Sequence, residues 1–397
     1  MSFSALSGMK VLDLTRVLAG PYCSMMLADM GAEVIKIEMP NVGDDSRAFM
    51  PQVNGESAYY MNLNRNKSGI TLNLKNPKGR QMFLDMVKKA DVVLENYRPG
   101  TMEKLDLGYD ILKEVNPAIV YGCVSGFGHY GPYSKRPGYD IIGQAMGGLM
   151  STTGWPGGEP TRSGTAIGDV LGGMNMTIGV LAAYVAAQRT GVGQKVDVAL
   201  VDSVVSSLEI INMIYLVSGR LPGRIGNRYE SAYPYDSFKV KDGSIVIGAA
   251  NNKLWGLLAK TMGMPELVDD PRFRENKDRI ANHEVLKPII EEWLADKTID
   301  EAVDIILSSG CPAAPINTID RVVSDPHIAE AREMFVDVVH PVAGKMRIAG
   351  NPVKLSKSKF EIRNPAPLLG QDNEKVYKEI LNLTSEQIAE LAAEGAI

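Results

Sequence analysis

A chain of 397 residues is longer than one ordinary domain, so two lobes and a sizeable core are expected. Its 45% hydrophobic and 22% charged residues fit a soluble globular protein, and a formal net charge of −5 argues against nucleic-acid binding, so any anion site must be local. Cys23, Cys123 and Cys311 are too dispersed for a disulfide framework or paired metal motif, and His129, His283, His327 and His340 are equally scattered. We therefore expect no metal and a reducing, cytoplasmic setting.

The amino-terminal Met-Ser-Phe-Ser-Ala-Leu-Ser-Gly-Met-Lys has neither the basic start nor the apolar stretch of an export signal. From Met9 onward, short apolar runs alternate with helical patterns. Lys10 to Leu14, Glu33 to Glu38, Gly69 to Leu74, Asp91 to Glu95 and Ala118 to Val124 read as strands, with helices over Tyr22 to Met30 and Pro77 to Ala90. Strands joined by helical crossovers predict parallel βαβ units and a Rossmann-like sheet. Gly20 and Pro21 suit a tight turn into the first helix. That turn reads Thr-Arg-Val-Leu-Ala-Gly-Pro-Tyr, without Gly-x-Gly-x-x-Gly, which disfavours NAD.

Three loops carry chemistry. Met61 to Arg80 holds Arg65, Lys67, Lys75, Lys78 and Arg80 and no acid, and reads either as a local anion site or as a solvated face. Glu95-Asn96-Tyr97-Arg98-Pro99-Gly100, followed by Lys104, offers an amide, a stacking ring and two cations at a strand end. Ser125 to Pro132 and Arg136 to Asp140 are dense in glycine and proline, as in a loop closely approached by a ligand, although Tyr139 and Asp140 could be only a turn and a cap.

Ile167 to Ala187 is long and apolar enough to suggest a membrane span, but it contains Asp169, Asn175 and Thr177; a core helix and no membrane are expected. Asp169 is a lone carboxylate where a glycine-dense loop meets this run. By spacing it is a helix cap or first-turn acid; chemically it could also be a nucleophile. Gln194 to Leu200 then reads as a strand and Val201 to Val217 as one helix. Gly219 to Asn227 reads as a linker into a smaller α+β lobe with strands Asp236 to Val240 and Ser244 to Gly248 and helices Lys253 to Met262, Glu284 to Asp296 and Ile299 to Ser309. We divide the chain into a large Rossmann-like domain (1–220), an inserted small domain with its linkers (221–330) and a returning segment (331–397), which has a helix over Ser385 to Ala393 capped from Thr384.

Leu-Ala-Gly-Pro-Tyr, Gly-Ala-Glu-Val-Ile-Lys-Ile-Glu, Glu-Asn-Tyr-Arg-Pro-Gly, Gly-Tyr-Asp-Ile-Ile-Gly-Gln-Ala, Gly-Asp169-Val, Gly-Gln-Lys-Val-Asp-Val-Ala-Leu and Pro-Tyr-Asp-Ser-Phe occur in this order. Together they resemble the class III coenzyme A transferases, the formyl-CoA and carnitine CoA-transferase family. The resemblance implies an enzyme that moves CoA between small carboxylic acids, with acyl-CoA as substrate and no permanently bound cofactor. It also implies an interlocked, ring-like homodimer. Asp169 would be the nucleophile, and Val17, Leu72, Lys75, Asn96, Tyr97, Arg98, Lys104, Arg136 and Tyr139 would line the CoA site.

An aspartate with an ordinary pKa of about 3.9 is ionised at pH 7 and needs no general base. Arg16, Tyr59, Tyr139 and Asn251 are candidates for holding a second carboxylate. Formyl-CoA transferases cover the intermediate with a glycine-rich loop; here the matching stretch reads Gly248-Ala249-Ala250-Asn251-Asn252, a departure from that pattern. The alternative is a 2-methylacyl-CoA racemase of the same fold. Racemases carry histidine where this chain has Tyr139, and tyrosine is a poor base at neutral pH.

Overall fold

The valine- and isoleucine-rich runs of the first half form β1 (Lys10–Asp13), β2 (Glu33–Glu38), β3 (Lys67–Thr71), β4 (Val92–Glu95), β5 (Val120–Ser125) and β6 (Lys195–Ala199). The computed structural model describes residues 4–358 and 360–397, so the first three residues of the stretch read as lacking an export signal lie outside the described residues. The six strands form one parallel sheet in the order β3-β2-β1-β4-β5-β6. The chain reverses direction across the sheet between β1 and β4, and α/β sheets bind ligands beyond the carboxyl ends of the strands at such a point.

Both faces of the sheet are buried, as parallel pairing requires. Leu12, Ile35, Ile70, Val93 and Tyr121 pack on one face with Phe83 and Met86 of α2 (Pro77–Val87). Val11, Val34, Val92 and Val120 pack on the other with Cys23 and Leu27 of α1 (Ala19–Asp29) and with Met176, Val180 and Ala183 of a 24-residue helix over Ile167–Thr190. Each large apolar side chain removed from water contributes about 1.5–3 kcal/mol. Asn76 caps α2 by accepting from Lys78 N, with Pro77 at its start. Gly20 works by close approach, not by an unusual backbone angle, since a Cβ there would lie 2.4 Å from Thr15 Cβ.

Further helices of this part include α3 (Asp140–Met146), α4 (the Ile167–Thr190 helix), α5 (Leu200–Ser207) and α6 (Ile210–Ser218). The single helix expected over Val201 to Val217 is two, bent by 76°, because Glu209 takes a left-handed φ of 49° and interrupts the hydrogen-bond ladder. By length and composition alone α4 could cross a membrane. One of its faces nevertheless packs on the sheet, while Ile178 and Val185 on the other are exposed.

The chain divides into two compact units, one comprising Met1–Leu149, Arg162–Ser218 and Pro326–Ile397, the other Met150–Thr161 and Gly219–Asp325. The smaller unit contains an antiparallel sheet ordered β9-β8-β7, from β7 (Tyr235–Val240), β8 (Gly243–Gly248) and β9 (Ala313–Pro315). Trp255 of α7 (Asn252–Thr261), Ile290 of α8 (His283–Leu294) and Ile306 of α9 (Ile299–Ser308) pack on Phe238, Ile245 and Ile247. In the larger unit the returning segment forms a hairpin of β10 (Phe335–His340) and β11 (Gly344–Ala349), then α10 (Asn373–Leu381) and α11 (Ser385–Ala393). Thr384 and Gln387 make the expected capping box on α11.

Candidate active site

Beyond the carboxyl ends of β1 and β4 the two following turns are locked together by Asn96. Its Oδ1 accepts from Arg16 N at 2.9 Å and its Nδ2 donates to Arg16 O at 2.7 Å. The next residue, Val17, holds a φ of 66°. That conformation strains a β-branched residue by about 1–3 kcal/mol and persists only where neighbours over-determine it. Here Asp44 Oδ1 accepts from Val17 N at 3.1 Å. Asp44 is itself fixed by buried Lys36, whose Nζ lies 2.9 Å from Asp44 Oδ2 and also donates to Thr15 O. Burial would raise Asp44, but Lys36 and the Ser46 hydrogen bonds outweigh it and hold the carboxyl at about 2.

Two cavities flank this turn. The larger, about 430 Å³, is lined by Leu72, Lys75 and Tyr97 together with Lys36, Asp44 and Thr101. The smaller, about 160 Å³, is lined by Val17, Asn96, Arg98, Tyr139 and Asp169. Arg16 and Asp45 belong to both walls and pair at 3.2 Å. Half exposed, that pair is worth at most about 1 kcal/mol and leaves Arg16 open to a competing anion. Two of the residues expected to line the CoA site line neither cavity: Lys104 is exposed at the end of a short helix, and Arg136 stacks on the Tyr133 ring at 3.6 Å.

Asp169 is the third residue of α4, but it is not the cap. Asp140, which opens α3, takes that role: its Oδ1 accepts from Gly168 N at 2.8 Å and from Asp169 N at 3.3 Å. Asp140 Oδ2 accepts from buried Gln144, and Gln144 Oε1 accepts from Ser163 N. Close packing brings α4 to the β1 turn, since a Cβ on Gly173 would lie 2.6 Å from Ala19 O. The Asp169 carboxylate therefore has no hydrogen-bond partner among the described residues. Burial first, and the Asp140 charge second, push it up to about 7, which corrects the expectation of a fully ionised group at neutral pH. Tyr59, pushed up to about 12 by burial and then by Asp169, stays protonated nearby. Asn251 serves as the cap of α7, accepting from Leu254 N.

The basic segment is mostly structural. Arg65 is buried against Asp29 at 2.7 Å and Lys67 against Asp13 at 3.0 Å, while Lys78 pairs with Glu394 and Arg80 with Asp106. Of the five cations only Lys75 lacks an ion-pair partner among the described residues and lines a cavity. Sequence reasoning missed Lys36, Asp44 and the capping role of Asp140, because each depends on contacts made only in the fold.

Glu95, Cys123 and His129 bring one ligand atom each within 4.8 Å of one another. The donor set does not suit a cation. Lys195 Nζ lies 3.0 Å from His129 Nδ1, and lysine offers only donors, so Nδ1 accepts and the ring proton sits on Nε2, the atom facing Glu95. A protonated nitrogen is no ligand. His129 is also absent from the wall around Asp169, where a racemase would need its base.

The chain matches the model of CoA-transferase family III over residues 6–373. It is 38% identical to the succinyl-CoA:glutarate CoA-transferase of Homo sapiens over 99% of this chain and 90% of that one. It is 41% identical to the acetyl-CoA:oxalate CoA-transferase of Acetobacter aceti, over 94% and 95% respectively. A crystal structure of a CAIB/BAIF family protein from Brucella suis superposes with a TM-score of 0.84 at 36% identity, covering 96% of this chain and all of that one. The chain belongs to CoA-transferase family III and is an enzyme that transfers coenzyme A between carboxylic acids.

Proposed function

We propose that Asp169 is the nucleophile and that the two cavities hold one acyl-CoA, its nucleotide part at Leu72, Lys75 and Tyr97 and its thioester beside Asp169. The observation that carries this reading is a carboxylate with no hydrogen-bond partner among the described residues, in the wall of a cavity that also contains Arg98 and Asn96. Lys75 and Arg98, cations without an ion-pair partner among the described residues, would offset the phosphates of CoA. Lys104 and Arg136, both exposed, remain proposed contributors to CoA binding. CoA enters as substrate, and we propose no resident cofactor.

Asp169 attacks the thioester carbonyl and the C–S electron pair leaves with CoA thiolate, giving a mixed anhydride. The thiolate then attacks the aspartyl carbonyl and releases the donor carboxylate, leaving an aspartyl-CoA thioester. The acceptor carboxylate attacks that thioester, forming a second anhydride and freeing the thiolate, which attacks the acceptor acyl carbon and returns Asp169 as a carboxylate. Thiolate departure is easy because thiol pKa values lie near 8.5, and the exchange is nearly thermoneutral. Relatives named for glutarate, oxalate and mesaconate transfer support a dicarboxylic acid as acceptor. Its distal carboxylate would displace Asp45 from Arg16.

We further propose a homodimer, interlocked as the family resemblance implies. Apolar side chains left exposed on α4 and α6, among them Ile178, Val185, Leu216 and Val217, support a second copy as their cover. Three free, buried cysteines support the reducing cytoplasm.

The test is to incubate the enzyme with succinyl-CoA and a panel of dicarboxylates, trap with hydroxylamine, and locate the adduct by mass spectrometry. An adduct on Asp169 is expected; active exchange with Asp169 unmodified refutes the mechanism. Sedimentation of the free enzyme tests the dimer.

A further inference from the structure

Among the buried polar atoms that the chemistry above does not use is His129 Nε2. His129 Nε2 lies 3.5 Å from Glu95 Oε1, both side chains are buried, and no hydrogen-bond partner meets that nitrogen among the described residues. The groups around the pair are Tyr121 and Cys123 from β5, Lys195 and Asp197 from β6, and Glu103.

Each member of the pair controls one ligand-facing loop. Glu95 ends β4, and its Oε2 accepts from Tyr97 N at 2.7 Å while its Oε1 accepts from the Tyr121 hydroxyl at 3.1 Å. It therefore sets the conformation of Asn96–Arg98, which contributes to both cavities. His129 stands in the loop after β5, its backbone N–H held by both Asp197 carboxylate oxygens at 2.9 and 3.1 Å. The two ends of that loop touch, since a Cβ on Gly126 would lie 2.6 Å from Gly138 Cα, and Gly138 and Tyr139 line the Asp169 cavity.

We propose that Glu95 and His129 form a buried clasp in which a small inward shift brings His129 Nε2–H onto Glu95 Oε1 and draws the two loops together around bound acyl-CoA. They are positioning residues, acting through Tyr97, Arg98 and Tyr139. The inference rests on the reading that these loops bind acyl-CoA. Because the clasp forms only in the complex, it governs binding, not the chemical step.

The test is a double-mutant cycle in the full-length enzyme with Glu95→Gln, His129→Ala and the pair. Glutamine keeps an oxygen for Tyr97 N–H but turns an amide N–H toward His129. Each single variant is expected to raise the KM for acyl-CoA about tenfold with kcat within about twofold. The double variant is expected to do no worse than either single one, and His129→Gln, which restores an N–H donor, to recover most of the affinity. Additive effects, a fall in kcat at unchanged KM, or unchanged KM overturns the clasp. Arg98→Ala is the control for the underlying reading. If it leaves KM unchanged, the assignment of acyl-CoA to these loops fails; if it raises KM while the cycle is flat, only the clasp fails. Nitrogen-15 NMR of histidine-labelled wild-type enzyme needs no variant to fold. The Nε2–H tautomer of His129 is expected, and the Nδ1–H tautomer overturns the proposal.

Discussion

Replacing Asp169 by asparagine measures what it costs the fold to hold this carboxylate. Burial first, and Asp140 second, raise the group from 3.8 to about 7. At about 1.4 kcal/mol per tenfold change in a proton equilibrium, keeping it ionised costs roughly 4 kcal/mol. An acid whose folded value lies above its unfolded one is tolerated without penalty below the unfolded value. Its stability contribution is then lost as pH rises to the folded value, here between about 4 and 7. Asparagine does not titrate, so relative to wild type the variant should gain about 1.6 kcal/mol at pH 5 and about 4 kcal/mol at pH 8. The assay is thermal or urea unfolding of both proteins at pH 5 and pH 8, without CoA and at one protein concentration. The stability difference should widen with pH while CoA transfer is abolished. A difference that is the same at both pH values, or that narrows toward pH 8, would refute the claim that the fold holds an unfavourable charge at this position.

On the proposed mechanism, in which only ionised Asp169 attacks, the same shift predicts that kcat/KM for acyl-CoA rises with pH through about 7 and that Asp140→Asn moves the midpoint down; a flat profile between pH 6 and 8.5 contradicts this. Lys75→Ala and Arg98→Ala should each raise the KM for acyl-CoA roughly tenfold, whereas Lys78→Ala, already paired with Glu394, should change it less than about twofold in steady-state kinetics. Arg65→Ala should lower stability by about 3–5 kcal/mol in urea titration, because it strands buried Asp29, and should not act through substrate affinity.

Sequence alone determined the class of fold and singled out Asp169, the residue proposed here as the nucleophile. Strand and helix periods are local, so β1 to β6 could be read within a few residues of their ends, whereas the break at Glu209 escaped because it rests on one backbone angle. Asp169 stood out as a charge in an apolar, glycine-rich run, and the ordered motifs gave it a family. Tertiary structure decided which charges are available. Arg65 and Lys75 look alike in the sequence, yet the first meets Asp29, 36 residues away, and the second lines a cavity. Likewise, only the fold brings Asp140 to the backbone of Asp169, 29 residues away, and turns an ordinary carboxyl into one that titrates near neutrality. The physical reason is that periodicity is set by neighbours along the chain, whereas burial and charge pairing are set by neighbours in space.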